Sequence, residues 1–245
     1  MSKSKKGLLS KRISRAIMEY GLIEKNDKVL IALSGGKDSL ALCWLLNRMS
    51  RSFPIPFSVH ALHVRSEVHP PELGATLSSL MNEWEIPHTI LSSEIKNKLR
   101  PGQDFNCFLC ARSRREALLN FAREHHFRVL ALGHHMDDLL QTLVMNMTWQ
   151  GELAAMPPRL DYTSELKMIR PLCLLQEHHI QSFVNEMNWN IPAKHCPYEG
   201  ETRRKEAASV LELMSGGKDS LKYNMYRSLS HIRTDLLPKS TPEIL

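Results

Sequence analysis

Residues 28–40 read KVLIALSGGKDSL, which predicts a strand, a tight turn and a helix in immediate succession. Residues 29–33 form a short apolar run typical of a buried parallel strand. Two adjacent glycines, Gly35 and Gly36, let backbone N–H groups converge without a Cβ in the way. The N-terminus of the following helix and the side chain of Lys37 add positive charge. The turn is therefore suited to holding a polyphosphate.

The spacing of this loop differs from that of the Walker loop, which places four residues between its first glycine and Gly-Lys. It resembles the pyrophosphate loop of enzymes that cleave ATP to AMP and pyrophosphate. A strand–Gly–Gly–helix turn can also serve topology alone. The full string Ser-Gly-Gly-Lys-Asp-Ser after an apolar strand favours ATP binding.

The composition is that of a globular protein of ordinary apolar content. The chain has 245 residues, of which 42% are hydrophobic, and this length allows a sizeable core. No apolar run approaches the ~18 residues that a membrane helix needs. The first residues, MSKSKKGLLSKR, are basic but lack the long apolar segment of a secretion signal. We therefore expect a cytoplasmic protein with no membrane partner.

The net charge is +6, and the basic residues are unevenly distributed. Such clusters are often only solvated faces, but here they flank the candidate chemistry and favour a nucleic-acid partner. The three clusters comprise Lys3, Lys5, Lys6, Lys11, Arg12 and Arg15, then Arg112, Arg114 and Arg115, then Arg203, Arg204 and Lys205.

Strands and helices are predicted to alternate along the first two thirds of the chain, which indicates βαβ units and a parallel sheet covered on both faces. Ligands of such sheets bind at the carboxyl ends of the strands. The predicted strands are 29–33, 57–64, 88–91 and 129–132, and the predicted helices are 8–20, 38–47, 72–84, 109–125 and 138–149.

Beyond residue 150 the pattern changes to a hairpin, predicted for 159–161 and 166–169, and then to helices over 176–189, 203–214 and 221–232. We divide the chain into an N-terminal basic helix (1–25), an ATPase domain with the phosphate loop (26–170) and a helical C-terminal extension (171–245).

The string SGGKDSL occurs a second time at residues 215–221. The residues before this copy follow helical rather than strand spacing. We therefore interpret it as a junction between two helices, in which Gly216 and Gly217 end the first helix. A second ATP loop is not expected there.

The odd number of cysteines, five in all, argues against a disulfide framework and for metal binding or catalysis. Cys107 and Cys110 form a Cys-x-x-Cys pair at a predicted helix N-terminus, where the dipole favours thiolates. Cys196 is a candidate third ligand. Zinc, closed by His195, and an iron–sulfur cluster with one open iron both remain possible at this point. Two further cysteines, Cys43 and Cys173, are expected in the core.

The segment Gly133-His134-His135-Met136-Asp137-Asp138 directly follows a predicted strand. These side chains could ligate a metal, act as acid–base groups, or cap the next helix. One aspartate capping and the other facing the site would satisfy both interpretations. We favour Asp138 as the functional carboxylate, which would hold Mg²⁺ or orient a nucleophile.

The motifs SGGKDS, CFLCARSRRE, LALGHHMDDLLQTLVMNM, AAMPP and IRPL, and then the lone Cys196, occur in this order. Over roughly residues 10–200 the chain resembles the tRNA 2-thiocytidine synthetase family of pyrophosphate-loop ATPases. The resemblance implies an adenine-nucleotide α-hydrolase-like, Rossmann-like α/β fold with a parallel sheet, helices on both faces and a small helical C-terminal extension.

The activity implied by this resemblance is thiolation of a cytidine in the tRNA anticodon loop, at position 32, with ATP, Mg²⁺ and a [4Fe–4S] cluster as cofactors. ATP would adenylate the oxygen at C2, and sulfide held at the open iron would displace AMP. The implied partners are tRNA and a cysteine desulfurase or another sulfide donor. The sequence leaves open whether the chain forms a homodimer.

The resemblance also implies roles for individual residues. The three cluster ligands would be Cys107, Cys110 and Cys196, and this choice replaces zinc. Lys37, Asp38, Asp138 and Arg114 would be catalytic, with Asp38 and Asp138 near Mg²⁺. The nucleotide would be held by Leu33, Ser34, Gly35, Gly36, Lys37, Asp38, Ser39, His63, Gly133 and Asp138.

The chain departs from the family pattern at two positions and is short at its C-terminus. Glu199 replaces a second cysteine that often follows the third ligand, and Gln141 replaces a usual glutamate. Two rival functions are a lysidine-synthetase-like tRNA ligase, which needs no cysteines, and a non-catalytic zinc-containing RNA-binding protein. Iron content and ATP turnover would distinguish them.

Overall fold

A computed structural model describes residues 5–66, 70–93, 106–189 and 203–238. Cys196, His195 and Glu199 lie outside the described residues. Described strands are β1 (Asp27–Ala32), β2 (Phe57–Ser66), β3 (His88–Ser93), β4 (Val129–Ala131), β5 (Arg159–Asp161) and β6 (Lys167–Ile169). Described helices are α1 (Lys5–Glu19), α2 (Lys37–Ser50), α3 (Pro71–Glu83), α4 (Cys107–Glu124), α5 (Met136–Met145), α6 (Glu177–Met187), α7 (Arg203–Ser215) and α8 (Asp219–Ser228).

The six strands form one sheet in the order β3-β2-β1-β4-β6-β5. All neighbouring strands run parallel except β5, which pairs with β6 as the predicted antiparallel hairpin. The register places Ile31 of β1 opposite Ala61 of β2 and Ala131 of β4. The carboxyl ends of β1 and β4 therefore lie side by side, which brings the phosphate loop next to the segment that begins at Gly133.

Helices cover both faces of the sheet, as predicted, because side chains alternate along each strand. Val29 and Ile31 of β1 point into the larger core, which contains residues of α1, α2, α3, α5 and α6. Leu30 between them points to the opposite face, where it joins a smaller core with Leu119 and Phe121 of α4. The α/β fold class predicted from the sequence is confirmed.

The helices of the C-terminal segment pack against the same core as the rest of the chain. Leu211 of α7 and Tyr226 of α8 are buried in the larger core. The hydroxyl of Tyr226 bonds that of Tyr20, just after α1, at 3.2 Å. Helix α8 thus packs beside the end of α1. The three-segment division of the chain stays a prediction.

The second SGGKDSL copy joins α7 to α8, as the sequence predicts. Its glycines both adopt left-handed backbone angles, with φ of +52° at Gly216 and +69° at Gly217. In the first copy only Gly35 does so, at +81°, whereas Gly36 is extended and caps α2. The two copies therefore differ in conformation although their letters are identical. Within the described ranges, no helix has the length and apolar character needed to cross a bilayer.

Candidate nucleotide and metal site

The phosphate loop is closed by a small hydroxyl network between the end of β1 and the first turn of α2. The hydroxyl of Ser39 donates to the carbonyl of Gly36 at 2.9 Å and accepts from the backbone N–H of Ser34 at 3.2 Å. The hydroxyl of Ser34 bonds that of Ser39 at 3.1 Å. These bonds hold the loop in a fixed curve in front of the N-terminus of α2, where an anion is favoured.

Lys37 and Asp38 begin α2 and lie beside each other. Nζ of Lys37 is 3.3 Å from Oδ2 of Asp38 and 2.8 Å from Oε1 of Glu177, the first residue of α6. Burial disfavours the charge on Lys37, but the bond to Glu177 and the attraction of Asp38 outweigh burial and raise the pKa of Lys37. The ammonium group therefore stays charged and is held at the loop.

Two predicted site residues, in or just after the strands on either side of β1, support the phosphate loop. Nδ1 of His63, in β2, donates to the carbonyl of Leu33 at 2.8 Å, and the residue is 1% exposed. Gly133, just after β4, lies so close to α2 that an added Cβ would be 3.1 Å from the backbone N of Ser39. His63 and Gly133 thus fix the two sides of the loop by backbone contact.

The two aspartates after β4 are both engaged with helix N-termini. Oδ2 of Asp138 accepts the backbone N–H of His135 at 2.9 Å and so caps its own helix, α5. Oδ2 of Asp137 accepts the backbone N–H of Glu177 at 2.8 Å and so caps α6. Asp137 also accepts from Nζ of Lys222 at 3.1 Å, and its side chain is 7% exposed. Asp137 is therefore occupied by structural contacts, and Asp138 combines its capping role with a position near Asp38.

The two histidines that precede α5 have different surroundings: burial keeps His134 neutral, and carboxylates surround His135. Burial lowers the pKa of His134 to about 4, although Asp138 opposes this effect. Nε2 of His135 lies 3.5 Å from Asp138 and 3.9 Å from Oδ1 of Asp38. His135 is thus placed between the two carboxylates that the sequence assigns to a metal ion.

A cavity of about 190 Å³ opens beside the phosphate loop on the α4 face of the sheet. Its walls are mostly apolar, which suits a flat heterocycle such as adenine. The lining residues are Ala32, Leu33 and Ser34 from the end of β1, Leu62 and Val64 from β2, Ala111, Arg114, Arg115 and Leu118 from α4, and Leu130, Leu132, His134 and Met168 from the remaining strands.

The cysteine pair opens α4 above this cavity. Asn106 caps the helix by accepting the backbone N–H of Leu109 at 3.0 Å, so α4 begins at Cys107, two residues before the predicted start. The cysteine pair lies at the N-terminus of this helix, as predicted. Cys110 is buried and Cys107 is exposed. Because residues four apart share a helix face, Cys107 lies above Ala111 and Cys110 above Arg114, both of which line the cavity. The pair and the nucleotide cavity therefore share one face of one helix.

Three described side chains, His178, His179 and Asp219, have the ligand types and spacing of a metal site. Nδ1 of His179 accepts the backbone N–H of Gln176 at 3.2 Å, so the hydrogen of the neutral ring is on Nε2. That nitrogen faces Asp219 and has no lone pair for a metal. We therefore assign this group to the capping of α6.

The comparisons with known proteins agree with this geometry. Residues 8–192 match the PP-loop domain family. The tRNA-cytidine(32) 2-sulfurtransferase of Legionella pneumophila (strain Paris) is 33% identical over 229 residues, which are 91% of this chain and 80% of that protein. The chain belongs to the tRNA-cytidine(32) 2-sulfurtransferase family of PP-loop proteins. A second member, from Geobacter metallireducens, is 31% identical over 228 residues, 90% of this chain and 88% of its own.

Two solved structures share the fold of this family member. The U34-tRNA thiolase NcsA from Methanococcus maripaludis, solved with its [4Fe–4S] cluster, superposes with a TM-score of 0.73 at 24% identity. That superposition covers 93% of this chain and 81% of the thiolase. NMN synthetase from Francisella tularensis superposes with a TM-score of 0.54 at 15% identity, covering 98% and 97%.

The donor set suits the groups that the family implies. Oδ1 of Asp38 is buried and has no hydrogen-bond partner among the described residues, as expected of a carboxylate oxygen that awaits a cation. Two thiols one helical turn apart fit a cluster that takes its remaining ligand from elsewhere in the chain. The other described cysteines, Cys43 and Cys173, belong to the larger core. Cys196, predicted as that ligand, lies outside the described residues.

Sequence reasoning missed three residues of this family member's site. Glu177 holds Lys37, and Lys222 holds Asp137. Arg204 lies 3.3 Å from Oδ1 of Asp138. Arg204 belongs to a basic cluster noted in the sequence, but no local signal pointed to its partner. Glu177 could be guessed only as an acidic first residue of a helix.

Proposed function

We propose that this protein is an ATP- and [4Fe–4S]-dependent tRNA sulfurtransferase that converts a cytidine of tRNA, at position 32, to 2-thiocytidine. The observation that carries the proposal is the shared face of α4. One helix presents Cys107 and Cys110 in its first turn and lines the cavity beside the phosphate loop in its second. The names of the curated relatives agree with the reaction.

ATP is held, in this proposal, with its adenine in the cavity and its phosphates on the loop. Ser34, Gly35, Gly36 and Ser39 offer backbone and hydroxyl donors to the phosphate oxygens. Lys37 offsets the negative charge that develops on pyrophosphate as it leaves. His63 and Gly133 act through the backbone, by holding the loop in place.

Mg²⁺ is assigned to Asp38 and Asp138, whose carboxylates flank His135 at the carboxyl ends of β1 and β4. Hard cations prefer such oxygen ligands. Binding of the ion would displace Arg204 from Asp138. Arg114, one turn after Cys110, offers its guanidinium to the α-phosphate or to the RNA.

The chemistry needs both an activated base and a protected sulfur. The oxygen at C2 of cytidine attacks the α-phosphorus of ATP, pyrophosphate leaves, and the oxygen becomes part of a good leaving group. Sulfide then adds at C2 and AMP departs with the oxygen. When bound, the cluster supplies an iron without a protein ligand, at which sulfide is kept from solvent. The ligands are Cys107, Cys110 and, by the sequence, Cys196.

Several finer points belong to the same proposal. The sulfur comes from a cysteine desulfurase or another sulfide donor, because the chain has no sulfur source of its own in this scheme. The reaction takes place in the cytoplasm, where its tRNA substrate is found. Whether the active form is a monomer or a homodimer is decided by measuring its mass in solution.

The test is anaerobic purification of the full chain, with iron and sulfide assayed, and then incubation with ATP, sulfide and bulk tRNA. Mass spectrometry of the digested nucleosides reports which base has gained sulfur. We expect iron in the protein, AMP and pyrophosphate in the reaction, and 2-thiocytidine in the digest. If the protein is free of iron, turns over ATP and attaches lysine to cytidine, it is a tRNA ligase and the proposed function is wrong. If the protein contains zinc and does not turn over ATP, it is a non-catalytic RNA-binding protein and the proposed function is again wrong.

A further inference from the structure

The turn that follows α5 displays large apolar side chains although it is well fixed. Residues Asn146–Gln150 continue α5 as one π-helical turn, which Gly151 ends with a left-handed φ of +68°. The side-chain amide of Asn146 donates to the backbone carbonyl of Ala154 at 2.8 Å, and the backbone carbonyl of Asn146 accepts the backbone N–H of Glu152 at 3.1 Å. Short π-helical turns of this kind are frequent at functional sites.

Three side chains of this turn and its exit are exposed to solvent: Met147 at 48%, Trp149 at 38% and Leu153 at 56%. Fixing a loop so that it presents apolar surface to water costs free energy. Contiguous apolar patches on a protein surface therefore often mark interaction sites. We call these three residues the Trp149 patch.

Two adjacent arginines connect the Trp149 patch to the candidate site. The guanidinium carbon of Arg203 lies over the indole of Trp149, 5.7 Å from the ring centroid. The next residue, Arg204, lies 3.3 Å from Asp138. Trp149 follows Asp138 by eleven residues, so at 1.5 Å per helical residue the two are separated by about 16 Å along the axis.

We propose that Trp149 and Arg203 form a stacking platform for an unpaired nucleotide of the RNA substrate, next to but distinct from the base that reacts. This inference rests on the proposed function. Arg203 lies over the indole, and Trp149 is still 38% exposed, which leaves ring surface for a base. Single-stranded RNA is recognised by such aromatic and guanidinium planes.

Charge favours RNA over a protein partner at this surface. Arg203, Arg204 and Lys205 lie consecutively at the start of α7, where phosphates would meet them. The separation of about 16 Å from Asp138 is too long for the reacting base itself and suits a neighbour on the same strand. The platform would thus select RNA substrates by the sequence of the RNA loop that carries the reacting base.

The experiment compares Trp149→Ala, Trp149→Phe and Arg203→Gln in the full chain. The probes are a synthetic RNA stem-loop with cytidine in its unpaired loop and a fully paired RNA of the same composition. Binding is measured by fluorescence anisotropy, and the KM for tRNA and the KM for ATP are measured in the thiolation assay. Leu213→Ala is the matched control, because Leu213 is also an exposed apolar residue, at 83%, on α7.

We expect Trp149→Ala to weaken stem-loop binding roughly tenfold or more, since each stacked base contributes about that much. Trp149→Phe should retain most of the affinity, and Trp149→Ala should leave paired-RNA binding and the KM for ATP unchanged. Arg203→Gln should weaken both RNAs. Leu213→Ala should match the wild type throughout.

Unchanged stem-loop binding by Trp149→Ala, in a wild type that does thiolate tRNA, would overturn the platform alone. Equal weakening toward both RNAs would also overturn it, because loss of general charge or of fold would then explain the effect. A wild type that neither binds nor modifies RNA would overturn the proposed function and the platform with it.

Discussion

Nζ of Lys222 lies 3.1 Å from Oδ1 of Asp137, and this ion pair joins α8 to the first turn of α5. Oδ2 of the same aspartate holds the N-terminus of α6 through Glu177. Glu177 in turn lies 2.8 Å from Lys37 on the phosphate loop. A line of contacts therefore runs from the C-terminal helices to the loop that is proposed to bind ATP.

Replacing Lys222 with methionine should destabilise the fold. Burial opposes the charge of Lys222, but Asp137 and Glu212 outweigh burial and raise the pKa of Lys222, so the lysine is charged in the native state. Methionine leaves a nearly buried carboxylate without its countercharge. We expect a loss of about 2 kcal/mol in the free energy of unfolding, since Lys222 keeps some solvent contact. Urea denaturation measures this loss.

The matched control for that variant is Lys218→Met, at an exposed lysine of the same turn. We expect its stability to change by less than about 0.5 kcal/mol and its ATP turnover to stay unchanged. Equal losses in the two variants would mean that the 3.1 Å pair contributes nothing specific.

Replacing Glu177 with glutamine should impair use of ATP. The substitution removes the charge that holds Lys37, so kcat/KM for ATP should fall roughly tenfold, while the KM for tRNA stays the same. Glu177→Asp should restore part of the loss. In a Lys37→Met background the glutamine should have no further effect, because its partner is gone.

The opposite result is informative for the same pair. A lower KM for ATP in Glu177→Gln would mean that Glu177 withholds Lys37 from the nucleotide. Glu85→Gln is the control, because Glu85 is also an exposed carboxylate in an ion pair, but its partner Arg51 lies at the C-terminal end of α2, opposite the loop.

Replacing Gly133 with alanine should displace the end of β4 from α2. The new Cβ would lie 3.1 Å from N and 3.2 Å from Cα of Ser39, and backbone atoms there cannot move aside as a flexible side chain can. We expect the KM for ATP to rise about tenfold. Gly7→Ala, in a helix with open space around the added Cβ, should be slightly stabilising and keep the wild-type KM.

The five cysteines should separate into two classes in an assay of iron content and thiolated product. Cys107→Ala, Cys110→Ala and Cys196→Ala should each lose both. Cys43→Ala and Cys173→Ala should keep both, because these thiols are buried in the core. Burial raises the pKa of Cys43 and raises that of Cys173 to about 12, so neither forms a thiolate ligand readily. Loss of iron on the Cys43 change, with the fold intact, would contradict the ligand assignment.

Stability should decrease on acidification through the titration of His179. Burial, and then Arg12 and His178, lower its pKa to about 4, against the attraction of Asp219. Because the unfolded chain binds this proton near pH 6.5 and the folded chain only near pH 4, the contribution is full above pH 6.5 and is lost as the pH falls toward 4. The free energy of unfolding between pH 7 and 4.5 measures it.

The matched variant is His179→Asn, whose side-chain oxygen can still accept the backbone N–H of Gln176 but does not titrate. Its stability should vary less with pH over the same range. An identical slope in the two proteins would assign the acid sensitivity to other groups.

The order and type of the elements could be predicted because they depend on local periodicity. The apolar run at 29–33 and the helical spacing before residue 215 each have one reasonable interpretation. The boundaries of α5 could not be predicted in the same way. Asp138 accepts the backbone N–H of His135, so the helix begins at Met136 rather than at residue 138. Its end as a π-helical turn was also missed, since apolar spacing does not separate that turn from an α-helical one.

The parts of the candidate site that lie within single sequence segments could be predicted. The loop, the Cys-x-x-Cys helix start and the carboxylates after β4 are all encoded within a few residues. The partners of these groups are distant in sequence, at 140 residues between Lys37 and Glu177 and 85 between Asp137 and Lys222. Only the packing of α6 and α8 brings them together, and no spacing rule within one chain segment reports it.

The two copies of SGGKDSL bear on stoichiometry. The copy that follows β1 is the loop proposed to bind phosphate, whereas the copy that follows α7 connects two helices and has both glycines left-handed. Calorimetric titration with a non-hydrolysable nucleotide should therefore saturate at a single equivalent per polypeptide. The two copies of the heptapeptide in the sequence would by themselves suggest two nucleotide equivalents.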